Sequence, residues 1–342
     1  ITLNMLKISL TWRLGMVLIA FCSFQACQFA GQRPKPDPVF NLTSNANINY
    51  QPLKQLLTEN RWKQADQETL RILLKLSNRQ AEGWLGQKDV EGLACEDLQI
   101  INRLWNYYSD GRFGFSQQEK IWISVGGIIG EYSPEIAEKF GDRVRWRKGG
   151  QWLKYEQLNF SARAPQGHLP ATTGNGVSGG VWNGVAAITH RVKYCGLIDA
   201  LAAGEWTQAD MKTLELFEAY RIPIENRPHV PPPLVISEIP CAELQGADRL
   251  WVKYSGGRFG LSVQGKILKA TGNSSEKIED RYQRFEKAVG WGIDHREMTD
   301  QKGDPKTIPL GHFPYRLGHS YDTFGSGFNR TWRLSINPDC GF

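Results

Sequence analysis

The sequence predicts an all-α protein made of two tandem copies of one domain. Three observations carry this reading. Apolar residues recur every three or four positions, as in Leu98, Ile101, Trp105 and Tyr108. Six blocks of sequence occur twice, in the same order, at an offset of 144 to 146 residues. The chain has 342 residues, room for about two domains at ~150 residues each. With 41% hydrophobic and 22% charged residues and 12 Trp, it can bury real cores and is not a disordered chain. Its net charge of +6 is too mild for a nucleic-acid partner.

The first element is a leader, residues 1–26. Lys7 and Arg13 precede an apolar run from Leu14 to Phe24, about 11 residues. That length suits a signal peptide's apolar core of ~7–15 residues and falls short of the ~20 that span a bilayer. Phe24-Gln25-Ala26-Cys27 resembles a bacterial lipobox, with Phe where Leu is usual. The resemblance implies cleavage before Cys27 and a lipid on its sulfur. Residues 27–45 then form a tether, stiffened by Gln32-Arg33-Pro34-Lys35-Pro36-Asp37-Pro38. Without its leader the chain keeps 39 basic and 35 acidic residues, or +4. The expected location is a membrane-anchored lipoprotein on the periplasmic or lumenal side. A short buried helix or an uncleaved anchor would leave a cytoplasmic or thylakoid-associated protein instead.

Copy 1 covers residues 46–185 and copy 2 covers 186–342. Trp62-Lys63-Gln64-Ala65-Asp66 and Thr69 match Trp206-Thr207-Gln208-Ala209-Asp210 and Thr213. Leu104-Trp105 and Gly111-Arg112-Phe113-Gly114-Phe115-Ser116 match Leu250-Trp251 and Gly257-Arg258-Phe259-Gly260-Leu261-Ser262. Gln118, Phe140, Trp146 and Gly167-His168-Leu169-Pro170 match Gln264, Phe285, Trp291 and Gly311-His312-Phe313-Pro314. Within copy 1, Leu53, Leu56 and Leu57 lead to Trp62 at helical spacing. Asp66 is placed to N-cap the next helix. Ser109-Asp110-Gly111 ends the Leu98–Tyr108 helix with turn chemistry. Ser116 and Glu119 have the spacing of a capping box. Residues 146–152 and 164–170 read as loops, Gly174–Gly184 as a glycine-rich tail or linker, and His229–Pro233 as an insert in copy 2.

Six Cys are present. Cys22 lies in the leader and Cys27 is the lipidation candidate. Cys95 matches Cys241, and Cys195 matches Cys340. In an exported chain this favours Cys95–Cys195 and Cys241–Cys340 as disulfides, each closing a loop of about 100 residues. A loop of that size is worth ~4–5 kcal/mol in the chain-entropy model. Four small buried thiols fit the same spacing.

The repeated Trp-x-x-Ala-Asp-x-x-Thr, Leu-Trp-x-x-Tyr-Ser-x-Gly-Arg-Phe-Gly-Phe-Ser-x-Gln and Ala-Pro-x-Gly-His-Leu-Pro strings resemble the Genomes-Uncoupled-Four domain of cyanobacteria, algae and plants. Copy 1 matches over about residues 50–175. Copy 2 matches more loosely over about 194–340, with Leu261 and Phe313 as departures. The resemblance implies an all-α, cupped-hand domain that binds protoporphyrin or Mg-protoporphyrin. It also implies a regulator of magnesium chelatase in chlorophyll biosynthesis. That partner stands on the cytoplasmic or stromal side, so it is expected only if the chain is not exported.

A tetrapyrrole is a flat apolar ring with carboxylate tails, and it needs an apolar platform with cations at the rim. The family motifs place ring contacts at Phe113, Phe115, Trp146, Leu169 and Pro170, with Arg112 and Arg145 as rim cations. The copy 2 counterparts are Arg258, Phe259, Leu261, Trp291, Phe313 and Pro314. Arg143 and Arg145 become Ala288 and Gly290 there, so copy 2 is expected to bind anions more weakly. No metal site is expected. Neither is an enzyme: the sequence has no phosphate loop, paired-Cys spacing, nucleophile elbow or His-Glu-x-x-His. The expected function is thus non-catalytic tetrapyrrole binding at a membrane. A cell-envelope interaction or sensory module, with the scaffold kept and the ligand lost, is the rival.

Overall fold

The computed structural model of the chain describes residues 41–44, 46–171, 182–221, 234, 238–272, 276–291, 301–318 and 340–342. The expected leader, Cys27, the Gln32–Pro38 segment, residues 174–181 and the His229–Pro233 insert lie outside them.

Copy 1 opens with α1 (Gln51–Thr58) and α2 (Trp62–Leu76), divided by Asn60 in the left-handed region (φ 56°) that Asn tolerates. Leu53, Leu57 and Trp62 face inward. Asp66 is not a cap: it lies a full turn inside α2, completely buried. The short α3 (Gln87–Glu91) follows, with the Asp89 carboxylate accepting from the Gly86 N–H at 2.7 Å. α4 (Cys95–Tyr108) buries Leu98, Ile101 and Trp105 as their spacing predicts, and ends at Asp110 and Gly111, both left-handed. α5 (Phe115–Ser124) and α6 (Pro134–Val144) complete the set, with Pro at the first position of α6, where its missing N–H costs nothing. The expected Ser116–Glu119 capping box does not form. The Asn102 side chain, reaching from α4, accepts from the Ser116 N–H (3.0 Å), and Glu119 turns to Lys193 (2.7 Å).

Residues 147–152, expected as loop, make a hairpin of β1 (Arg147–Lys148) and β2 (Gln151–Trp152). Gly149 and Gly150 have φ of 59° and 78°, the paired positive angles of a two-residue hairpin turn.

α7 (Trp182–Ala202) joins the copies, and α8 (Trp206–Leu216), α9 (Cys241–Tyr254), α10 (Leu261–Ala270) and α11 (Ile278–Ala288) repeat the order of α2, α4, α5 and α6. α7 buries Val185, Ile188, Val192, Leu197 and Leu201, and Arg191 with them, while Asp199 and Ala202 are exposed. It packs on α3, α4 and α5 on the copy 1 side and on α8 and α9 on the copy 2 side. Tyr194, Leu197, Leu201 and Trp206 stand where copy 1 has Tyr50, Leu53, Leu57 and Trp62, so the second half of α7 is the counterpart of α1. The copy boundary expected at 185/186 falls inside this helix. Cys195 of α7 is bonded to Cys95 (S–S 2.01 Å), and Cys340 to Cys241 (2.05 Å). Residues 42–342 therefore pack as one unit. Ile129 of copy 1 even joins the core built on Trp206, Trp251, Phe259 and Phe313 of copy 2. Among the described residues no helix is long and apolar enough to cross a membrane.

Candidate functional site

The repeated strings interlock with one another. In copy 1 the Gly114 N–H donates to the Leu169 carbonyl (3.0 Å) and the Gly167 N–H to the Arg112 carbonyl (2.8 Å). Gln118 Nε2 donates to the carbonyls of Gly167 (3.2 Å) and Pro170 (2.8 Å), and Trp146 Nε1 to that of His168 (2.8 Å). Copy 2 repeats these bonds through Gly260–Phe313 (2.9 Å), Gly311–Arg258 (2.8 Å), Gln264 to Gly311 and Pro314 (2.9 Å each) and Trp291–His312 (2.8 Å). Both X-Pro bonds, Leu169–Pro170 and Phe313–Pro314, are cis. The indoles of Trp105 and Trp251 donate to the hydroxyls of Thr69 (2.9 Å) and Thr213 (3.0 Å). Gly114 is left-handed in a way only glycine allows (φ 112°), and a Cβ there would meet Asn102 Oδ1 at 3.0 Å. Much of the motif is thus one clamp that holds the Arg-Phe-Gly turn against the His-Leu-Pro loop.

The clamp decides where the expected contacts lie. Phe113, Phe115, Trp146, Leu169 and Pro170 are all buried, as are Phe259, Leu261, Trp291, Phe313 and Pro314. Phe113 packs edge-on to Trp62 (5.4 Å) and Trp105 (6.3 Å), and Trp146 edge-on to Phe140 (5.6 Å). In this arrangement they are floor rather than open face. His168 uses both ring nitrogens: Nε2 accepts from the Asn159 N–H (3.1 Å), which leaves Nδ1–H to donate to the Val144 carbonyl (2.6 Å). Burial holds its pKa below the ordinary 6.5, so it stays neutral.

The expected cations behave differently. Arg112 is exposed, with a long bond from Nη1 to the Ala164 carbonyl (3.4 Å). Arg143 and Arg145 are exposed, and Arg145 is left-handed (φ 59°). Arg147, by contrast, is spent on structure: it pairs with Glu138 (3.1 Å) and Asp142 (3.3 Å) and lies over Trp152 (5.0 Å). The Gly167–His168 turn is hydrogen-bonded to Arg112 on one side and to Val144 on the other, so Arg112 and Arg145 flank one loop.

The stretch before that loop carries Tyr155, which motif reasoning missed, and Phe160, a loop aromatic outside the repeated motifs. Tyr155 and Phe160, both half-buried, meet with ring centroids 5.0 Å apart. The exposed Lys63 ammonium lies 5.8 Å and 5.6 Å from those two rings. The Tyr155 hydroxyl donates to Asp66 Oδ2 (2.7 Å), while Asp66 Oδ1 accepts from the Ala171 N–H (2.5 Å). Burial, with Asp66 beside it, pushes the Tyr155 phenol above its ordinary 10. Copy 1 therefore presents a half-buried aromatic pair with Lys63 over both rings, and Arg112 bonded to Ala164 further along the same stretch. Its sequence signal was slight: Tyr155 and Phe160 have no partner in the repeat.

Copy 2 closes the same region on itself. Arg258 donates to the carbonyls of Pro305 (2.9 Å) and Ile308 (2.7 Å). Thr207 stands where copy 1 has Lys63, and its hydroxyl accepts from the Gln301 N–H (2.9 Å). Trp206 donates its backbone N–H to Gln301 (3.0 Å) and its indole to Gly303 (3.0 Å), and Gly303 donates back to Gly204 (3.0 Å). Asp210 accepts from the N–H groups of Tyr315 (2.8 Å) and Arg316 (3.0 Å). Among the described residues of either copy, no group of three or more His, Cys, Asp or Glu is placed to hold a metal ion.

Comparison with known proteins agrees with this two-fold architecture. A "Ycf53-like protein" of Synechocystis is 37% identical over 142 residues, covering 41% of this chain and 58% of that protein. An "Uncharacterized protein ycf53" of Pyropia yezoensis is 35% identical over 138 residues, 40% of this chain and 55% of that one. The "Tetrapyrrole-binding protein, chloroplastic" of Arabidopsis thaliana is 34% identical over 135 residues, 35% and 47% respectively. The chain thus spans about half the length of the curated relatives it matches. Among solved structures, GUN4 from Chlamydomonas reinhardtii aligns at 26% identity over 45% of this chain and 93% of that one, with a TM-score of 0.37. The GUN4-like family model matches twice, at residues 43–191 and 187–317, and the two matches overlap within α7. The chain belongs to the GUN4-like family, carrying its domain in tandem.

Proposed function

We propose that this protein binds a tetrapyrrole, protoporphyrin or its magnesium derivative, in copy 1 and without catalysis. The half-buried Tyr155–Phe160 pair with Lys63 over both rings, and the exposed Arg112 bonded to Ala164 further along the same stretch, carry the reading. Flat apolar faces stack on such rings, and carboxylate tails pair with cations at the edge. Phe113, Leu169 and Trp146 are buried within the clamp of the same copy. A relative's name as a tetrapyrrole-binding protein points the same way. Copy 2 commits Arg258 to its own carbonyls and lacks Lys63, so it serves as scaffold, and the rival reading of an interaction module suits it best. The apolar run before Cys27 supports a lipid tether on the periplasmic or lumenal side, which would separate the protein from magnesium chelatase.

The test is titration of the full chain with protoporphyrin IX. The expected result is a Soret shift with Trp quenching at micromolar ligand and one porphyrin per chain. No shift and no quenching would end the binding claim. Fractionation of wild type against Cys27→Ser tests the tether: the wild type is expected in the membrane fraction and the variant in the soluble one.

A further inference from the structure

The two copies carry the same buried aspartate but employ it differently. Asp66 and Asp210 occupy equivalent positions of the Trp-x-x-Ala-Asp string, and neither has any exposed surface. Asp210 accepts from Tyr315 N (2.8 Å) and Arg316 N (3.0 Å), with the Arg316 guanidinium 3.7 Å away. Asp66 accepts one backbone N–H, from Ala171, and one side-chain hydroxyl, from Tyr155, 89 residues along the chain. A hydrogen bond to a buried carboxylate is among the stronger and more directional ones. It fixes where the phenol oxygen points, and hence which side of the ring is turned outward. Tyr155 sits in the irregular stretch between the hairpin and the cis-Pro loop, in the short Tyr155–Gln157 turn. Its orientation there therefore depends on this bond and on contact with Phe160 at 5.0 Å.

We propose that Asp66 is a positioning residue for the copy 1 ligand. It holds the Tyr155 oxygen inward so that the ring, and not the hydroxyl, meets the ligand beside Phe160 and Lys63. The inference rests on the tetrapyrrole reading. It adds that the hydroxyl, which could otherwise serve as an axial ligand to a bound porphyrin's metal, is withheld from it. The copy 1 site would then contact the macrocycle by its face, whatever its centre holds.

The experiment titrates the full chain with protoporphyrin IX and with its zinc derivative, following the Soret band. Tyr155→Phe keeps the ring and loses the anchor, and Asp66→Asn keeps an acceptor for Ala171 but weakens the hold on the phenol. Each is expected to raise the Kd about tenfold for both porphyrins. The double variant is expected to be no weaker than either single one, because both remove the same bond. The bound Soret maximum should also move in Tyr155→Phe, which a purely structural role would not produce. Asp210→Asn, the structural control, is expected to change Kd by less than twofold even where it lowers the unfolding midpoint. Should Asp66→Asn fail to fold, Tyr155→Phe carries the test. Tyr155→Phe binding within twofold of wild type, with an unmoved Soret band, would overturn the inference and leave the binding function standing. A wild type that binds neither porphyrin would overturn both.

Discussion

Arg145 ends α6 in the left-handed region (φ 59°, ψ 41°), where copy 2 has Gly290 (φ 72°). For a residue with a Cβ that conformation costs roughly 1–2 kcal/mol, and strain of this kind collects at functional positions. Gly in its place gives back part of the gain as backbone entropy. Arg145→Gly is therefore expected to raise stability by ~0.5–1 kcal/mol in urea denaturation while weakening porphyrin binding. Arg112→Ala should weaken binding several-fold and Arg258→Ala hardly at all, as read by Soret titration. The reason is that Arg258 already donates to Pro305 and Ile308. A third residue gives a pH signature. Burial, then Lys253 with further help from Arg249 and Arg191, depresses His190 from 6.5 to about 4 against the pull of Glu91. The folded state thus disfavours the imidazolium. The stability tied to a neutral His190 is complete above pH 6.5 and is lost as pH falls toward 4. Relative to His190→Gln, the wild type should lose stability across that window, measured by urea midpoints at a series of pH values.

At the scale of elements, the clamp between the Arg-Phe-Gly turn and the His-Leu-Pro loop recurs bond for bond in the two copies. Gln118→Ala leaves the Gly167 and Pro170 carbonyls unpaired, and Gln264→Ala does the same to Gly311 and Pro314. Each is expected to cost ~1–3 kcal/mol, to a similar extent, in chemical denaturation. The helices were legible from periodicity, and α4 follows its apolar stripe closely. The hairpin at 147–152 was missed because its strands have two residues each, too short for any alternation to show. The caps at Asp66 and Ser116 were misread because local spacing cannot reveal a distant partner. Asp66 answers to Tyr155 and Ala171, and the start of α5 is held by Asn102. The site was half legible for the same reason. Repetition draws attention to Phe113 or Leu169, which the clamp needs inside, and passes over Tyr155 and Phe160, which only copy 1 possesses.

At the scale of the molecule, a charged triad lies between the copies. Lys193 of α7 reaches Glu119 of α5 (2.7 Å) and Glu243 of α9 (3.1 Å), and the Tyr220 hydroxyl donates to Glu243 (2.9 Å). Burial raises the Glu119 carboxyl above its usual range, with Lys193 working against the shift. Lys193→Met would leave two carboxylates facing each other with no cation between them. That change is expected to cost ~3–5 kcal/mol, as for other broken buried pairs. Calorimetry of the wild type should show one transition rather than two, since no described linker separates the copies and Ile129 is shared with the far core.

The common helix also sets a phase. An α-helix turns about 100° per residue, and α7 offers one side to copy 1 and another to copy 2. A single residue inserted between Val185 and Lys193 would rotate every later side chain by that angle. Tyr194 would leave Gly246, whose lack of a Cβ admits it, and Lys193 would leave its two glutamates. The length of α7 is fixed by both copies, and neither can be cut away at a joint, because the helix that would have to serve as the joint is interior to each.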